Sequence, residues 1–194
     1  MIYAIEMLND TFSDYANLYE KIKVEEKNNR LIKIKRGLYT DDINENRFFI
    51  ANILYSPSYV SFETALSFYN LIPERVNVIK SATYKKNKNK KYDTKFGNFS
   101  YQDINPKAYP YGINTIDIDG KRILIASKEK ALIDLISVLS PRNSIKEMKQ
   151  LLFDDLRINE YEFDQLNKNT IMDLCDLYPS KSVKLLKNYI RRFL

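Results

Sequence analysis

Histidine is absent from the 194 residues of this chain. Its absence removes Ser-His-Asp and Cys-His chemistry, the histidine general base and the usual zinc sites. A single cysteine, Cys175, excludes an internal disulfide and any multi-cysteine cluster. The only glycines, Gly37, Gly97, Gly112 and Gly120, are isolated from one another, so neither a Walker loop nor a G-x-G-x-x-G turn can be written. No apolar run approaches the roughly 18 residues needed to cross a bilayer. The opening residues, Met1 to Glu6, lack the basic and long apolar segments of a signal peptide, so the expected location is the cytoplasm. An enzyme built on this chain would have to work with carboxylates or lysines, which disfavours an ordinary one. No cofactor is expected.

What is present describes a globular chain. Hydrophobic residues make 44% and charged residues 29%, and the length suits one compact domain or two small ones. That is enough to bury a core without disulfides or metal. The net charge is +6, but Lys, Ile and Asn dominate the composition as in an AT-rich genome, so lysine abundance alone says little. Its distribution says more. Residues 21–36 hold seven basic residues against two acidic, and residues 80–95 hold seven against one. Charge concentrated in two short stretches is what a nucleic-acid contact surface requires.

Periodicity orders the elements. Ile2, Ile5 and Leu8 predict a short first helix, with Phe12 and Tyr15 continuing its stripe. Leu18 to Asn28 predicts a second helix, with Leu18, Ile22 and Glu25 on one face, ended by Asn28-Asn29. Ile32 and Ile34 alternate with Lys33 and Lys35 as in a half-buried strand. Arg36-Gly37 then makes a tight turn, and Leu38-Tyr39 returns. Helix, turn, helix and a basic hairpin have the order and size of a winged helix-turn-helix over residues 1–46. Asp41 to Asn46 reads as a linker.

Residues 47–194 read as a mixed domain. Phe48 to Leu54 predicts a helix, and Ser61 is a candidate N-cap for another through Tyr69. Over about 76–126 the period shortens, with turns at Gly97-Asn98 and Asp119-Gly120, predicting a mostly antiparallel sheet of about four to five strands. Ser127 opens a helix that Pro141 ends, and shorter helices near 144–153, 160–168, 170–177 and 180–193 complete a helical bundle over 127–194. The expected fold class is α+β.

Several segments then carry a family likeness. Arg30-Leu-Ile-Lys-Ile-Lys-Arg-Gly-Leu-Tyr39 resembles the wing of the AbiEi antitoxins. Pro57-Ser-Tyr-Val-Ser-Phe-Glu-Thr-Ala-Leu66, Leu71-Ile-Pro-Glu74 and Ala126-Ser-Lys-Glu-Lys-Ala-Leu-Ile-Asp134 are similar to further segments of that family, in its order. Ser81-Ala-Thr83 and Tyr109-Pro-Tyr-Gly112 add to the likeness, which spans nearly the whole chain. The resemblance implies an N-terminal winged domain and an AbiEi-like C-terminal antitoxin domain over 47–194. It implies a type IV antitoxin that represses its own operon by binding inverted repeats in duplex DNA. It also implies a functional partner, a nucleotidyltransferase toxin countered without a stable direct complex. One departure stands: the helices before Leu31 are shorter than those of a full three-helix winged domain, and the block is not basic overall.

A recognition helix places side chains on base edges while neighbouring cations neutralise phosphates. Candidates on the second helix are Tyr19, Lys21, Lys23 and Lys27; Arg30, Lys33, Lys35 and Arg36 follow on the hairpin. Arg36 at the turn tip is the best single wing candidate. The plain alternative is a solvated helix and hairpin. The Lys85–Lys91 run, flanked by Tyr84 and Tyr92, reads as a solvated hairpin tip in preference to a second phosphate-contacting loop.

Two other readings compete. One is a protein-interaction module with a vestigial winged domain. The other is a magnesium-dependent, nucleotidyltransferase-like enzyme using Asp117 and Asp119, two apart on a strand. No Gly-Ser turn lies upstream of that pair, and Asp119-Gly120 is more simply a hairpin turn. No metal site is expected. Asp134 reads as a helix-surface or capping carboxylate, and Cys175 as a buried, inert thiol.

Overall fold

The computed structural model describes residues 1–193 and is α+β, with a three-stranded sheet, a six-stranded sheet and nine α-helices among them. β1 (Ile2–Ala4) leads directly into α1 (Ile5–Thr11), followed by α2 (Leu18–Lys27), β2 (Ile32–Lys35) and β3 (Leu38–Thr40). The first residues are therefore a strand where helical spacing was expected. β3 supplies the reason: Ile2, Tyr3 and Ala4 lie opposite Thr40, Tyr39 and Leu38, and this long-range ladder outweighs three residues of local period. β2 pairs with the other side of β3, giving the order β1-β3-β2, all antiparallel. Asn17 caps α2 through its side chain, and Asn29 takes a left-handed φ of 56° after the C-cap. Gly37, at φ 79°, makes the hairpin turn.

The segment between the two sheets is not a loose linker. The Glu45 side chain is fully buried, accepts from the Asn46 backbone N–H at 3.0 Å, and pairs with Lys121. Asn46 caps α3 (Arg47–Leu54). Then come β4 (Ser58–Val60), α4 (Phe62–Phe68), β5 (Val78–Thr83), β6 (Lys90–Thr94), β7 (Gly97–Asp103), β8 (Ile113–Ile118) and β9 (Lys121–Ala126).

These strands form a mixed six-stranded sheet in the order β6-β7-β5-β4-β9-β8. β5 to β9 are the four to five strands expected over 76–126, and β4 joins them from outside that range, with parallel pairings at β5-β7 and β4-β9. The hairpins β6-β7 and β8-β9 sit where the turns predicted them. Periodicity, however, is blind to which strand of a hairpin faces inward. β7 brings the buried Phe99 and Tyr101, so it lies beside β5, in parallel, from Val78↔Asn98 to Thr83↔Asp103. β6, with Lys90 and Lys91, takes the edge, where lysines deter further pairing. β4 was missed because it is only three residues long. It lies between β5 and β9, parallel to β9 at Val60↔Ile125.

Such a short strand leaves ladder groups of its neighbours without a partner, and side chains fill the gap. Asn52 of α3 donates to the Leu124 carbonyl at 3.1 Å and accepts from its N–H at 2.7 Å. Thr64 of α4 accepts from Lys80 N–H at 2.9 Å and donates to the Val78 carbonyl at 3.2 Å.

The remainder is helical: α5 (Lys128–Val138), α6 (Ile145–Gln150), a π turn over Leu151–Asp155, α7 (Glu160–Asp164), α8 (Lys168–Cys175), α9 (Lys181–Ile190) and a final 3-10 turn. Ser127 caps α5 by accepting from Lys130 N–H. One large core joins the sheet to α3, α4 and the C-terminal helices, and it includes Ile32, Ile34 and Leu38 of the hairpin. A small second cluster, Leu8, Ile22, Leu31 and Tyr39, holds α1 and α2.

Candidate nucleic-acid interface

α2, the β2-β3 hairpin and the short segment between them carry the eight expected contact residues, and the structure divides them. Tyr19, Lys23, Lys27, Arg30, Lys33 and Arg36 are exposed, while Lys21 and Lys35 are partly buried. Glu25 accounts for two of them. Its side chain is nearly buried and accepts from Lys21 at 2.8 Å and from both arms of Arg30, the Nη2 contact being 3.0 Å. Arg30 first, then Lys21, hold the Glu25 carboxyl down to about 2. Lys21 also lies 4.2 Å from the Tyr15 ring centroid. Both cations therefore fasten the end of α2. Lys23 pairs with Glu20 at 2.7 Å on the open face of the helix. Lys27, Lys33 and Arg36 make no ion pair among the described residues. With Tyr19, which is 64% exposed, they are expected contact residues that stand open to solvent.

Lys35 does something else. Its ammonium donates to the Leu54 carbonyl at 2.6 Å and lies 5.8 Å from the centroid of Tyr92 on β6. Burial, then the charges of Lys86 and Lys90, lower it from the ordinary lysine range. The Lys85–Lys91 run, expected to be a solvated tip, is thus brought in part against the hairpin. Lys86 donates to the Ser56 carbonyl at 2.7 Å and lies 4.9 Å from the Tyr55 centroid. Lys90 lies 5.4 Å from the Tyr92 centroid. The two basic stretches of the sequence meet here. The one hint in the sequence was the tyrosine at each end of the run; pairing Lys35 with Tyr92 required the tertiary fold.

The two aspartates of the competing enzyme reading lie at the β8-β9 turn. Asp117 accepts from Gly120 N–H at 2.9 Å, and Asp119 holds the left-handed turn at φ 54°. Among the described residues no group of three or more His, Cys, Asp or Glu is placed to hold a metal ion. No helix among them is long and apolar enough to cross a membrane.

Asp134 is not on a helix surface. It is fully buried, with Tyr59 and Ser61 donating to Oδ2 at 2.8 and 2.7 Å. Tyr178 and Lys130 approach Oδ1, Lys130 at 3.0 Å. Ser61 thus spends its hydroxyl on Asp134 and makes no side-chain cap on α4. Lys130 is equally buried and also donates to the Ala108 carbonyl at 3.0 Å. This network ties β4, α5 and the segment before α9 together. Helical spacing put Asp134 among apolar neighbours without showing that four donors surround it. No protein-family model matches the chain, and no curated protein matches it either.

Proposed function

We propose that this chain is a DNA-binding antitoxin of the AbiEi type, which represses its own operon through its N-terminal unit and counters a nucleotidyltransferase toxin. The observation that carries the DNA-binding part is topological. Two short helices lie between β1 and β2 of a β1-β3-β2 sheet, and the hairpin exposes Lys33 and Arg36. In a winged helix-turn-helix reading, α2 is the recognition helix and β2-β3 the wing. Tyr19 and Lys27 then face base edges and backbone, and Lys33 and Arg36 neutralise phosphates. The antitoxin part rests on the ordered sequence segments that resemble the family.

A gel-shift titration tests the reading. The purified chain is titrated onto the DNA upstream of its own coding sequence and onto a scrambled duplex, at two salt concentrations. The expected result is a specific shift that weakens with salt, and that is lost or much reduced in Lys33→Gln/Arg36→Gln. Removing two phosphate contacts lowers the slope of log affinity against log salt by about two. Equal binding of both duplexes, or none at micromolar protein, overturns it.

A further inference from the structure

Three tyrosine rings form a shelf under the hairpin. Tyr55, Tyr92 and Tyr101 lie with centroids 6.1, 5.3 and 5.8 Å apart. Three ammonium groups from two separate stretches of the chain sit over it. Lys35 comes from β2 and Lys90 from β6, both over Tyr92; Lys86 comes from the loop before β6, over Tyr55. None of the three makes an ion pair among the described residues. The charge of Lys86 also reaches Asp103, but the oxygens of that carboxylate already accept from Thr83 and from Asn87 N–H, each at 2.6 Å.

Like charges gathered without a counter-ion cost free energy unless an anion completes them. Part of that cost is met by the ring faces and by two backbone carbonyls. An ammonium has three donors, and the single hydrogen bonds of Lys35 and Lys86 leave others open; Lys90 makes none to the protein. The tyrosine shelf holds the three stems in place and prepays the ordering that flexible surface lysines would lose on binding.

We propose that Lys35, Lys86 and Lys90 on the Tyr55–Tyr92 shelf form one phosphate-binding site, which extends the hairpin's contact along a nucleic-acid backbone. The ligand chemistry is the phosphate group. Its source is either duplex DNA held by α2 and the hairpin, which rests on the function proposed above, or a free polyphosphate.

The test uses the full chain and two probes: a fluorescent duplex of its own upstream DNA, read by anisotropy across a salt series, and inorganic tripolyphosphate, read by calorimetry. Lys86→Gln/Lys90→Gln is compared with Lys88→Gln/Lys91→Gln, which removes the same charge from the same run away from the rings. Thermal unfolding checks each fold. Lys90→Gln alone is read if the first pair lowers the midpoint, because the Lys90 ammonium makes no hydrogen bond to the protein. The expected result is a loss of about tenfold in duplex affinity at 0.1 M salt for the shelf pair, with a salt slope reduced by about two, and a smaller change for the control pair.

Tripolyphosphate binding that the shelf pair abolishes, without duplex binding by the wild type, keeps the site and removes the DNA reading. Duplex binding impaired by Lys33→Gln/Arg36→Gln but not by the shelf pair overturns the site and leaves the DNA reading intact. Equal losses in shelf and control pairs overturn it too, since net charge alone then accounts for the effect. If the wild type binds neither probe, the site is overturned.

Discussion

Asp134 and Lys130 show what a buried charge demands of its surroundings. Each is unstable alone in the interior, and together they are supported by Tyr59, Ser61, Tyr178 and the Ala108 carbonyl. Asp134→Ala is therefore expected to cost about 3–5 kcal/mol in urea unfolding, because it strands Lys130. The double change Lys130→Met/Asp134→Leu is expected to cost less than the sum of its single changes; additive losses would show that the pair is not coupled. Gly112 belongs to the same site: a Cβ there would stand 2.9 Å from Lys130 Cβ, at a φ of 68°. Glu25 is a second nearly buried carboxyl, paired with Lys21 and Arg30. Its folded pKa lies below the ordinary 4.5, so its contribution to stability is fully present above that value and fades as pH falls toward 2. Arg30→Gln is expected to raise the Glu25 carboxyl toward its ordinary value in a carbon-detected NMR titration. An unmoved carboxyl would mean that Arg30 is free for another partner.

At the scale of elements, short strands borrow side chains. β4 is too short to satisfy both neighbours, so Asn52 and Thr64 act as one-residue extensions of the ladder beside β9 and β5. Asn52→Ala removes two hydrogen bonds and is expected to lower stability by about 1–2 kcal/mol, measured by urea unfolding. A neutral result would mean that water replaces both. The hairpin is fixed by the same kind of long-range contact. Lys35 reaches the end of α3 and the ring of a β6 tyrosine, which makes it a brace and sets it apart from Lys33 and Arg36. Strand alternation correctly separated Ile32 and Ile34 from Lys33 and Lys35, but it treated the two lysines alike.

Across the whole molecule, the two hydrophobic clusters differ greatly in size, and the hairpin contributes to both. Leu31 and Tyr39 pack with α1 and α2, while Ile32, Ile34 and Leu38 join the main core. A cluster this small supports little protection of its own. Amide hydrogens of α2 are expected to exchange well before those of α5 in hydrogen-exchange mass spectrometry; equal protection would mean that both halves open only together. Cys175 reports on the main core. It is buried, and desolvation pushes its thiol up to about 12. A thiol reagent at pH 8 is therefore expected to label it only at the rate of core opening, with fast labelling restored in denaturant.

The sequence by itself determined the short-range features. The hairpin turns at Gly37 and Asp119-Gly120, the cap at Ser127 and the break before Pro141 need only residues close in the chain, and so does the apolar stripe that carries Cys175. The α+β class follows from the same local periods. Tertiary structure decided what depends on partners far away in sequence. β1 became a strand because β3 was beside it, and β7 lay inside β6 because it carried the rings that fill the core. Asp134 became a buried acceptor because Tyr59, Ser61, Lys130 and Tyr178 converge on it from four places. The candidate interface divides along the same line. Composition marked two basic stretches, but only the packed sheet could set Lys35 beside Lys86 and Lys90 and engage Lys21 and Arg30 with Glu25. Charge is written residue by residue, whereas its availability to a ligand depends on which groups folding brings within a few ångströms.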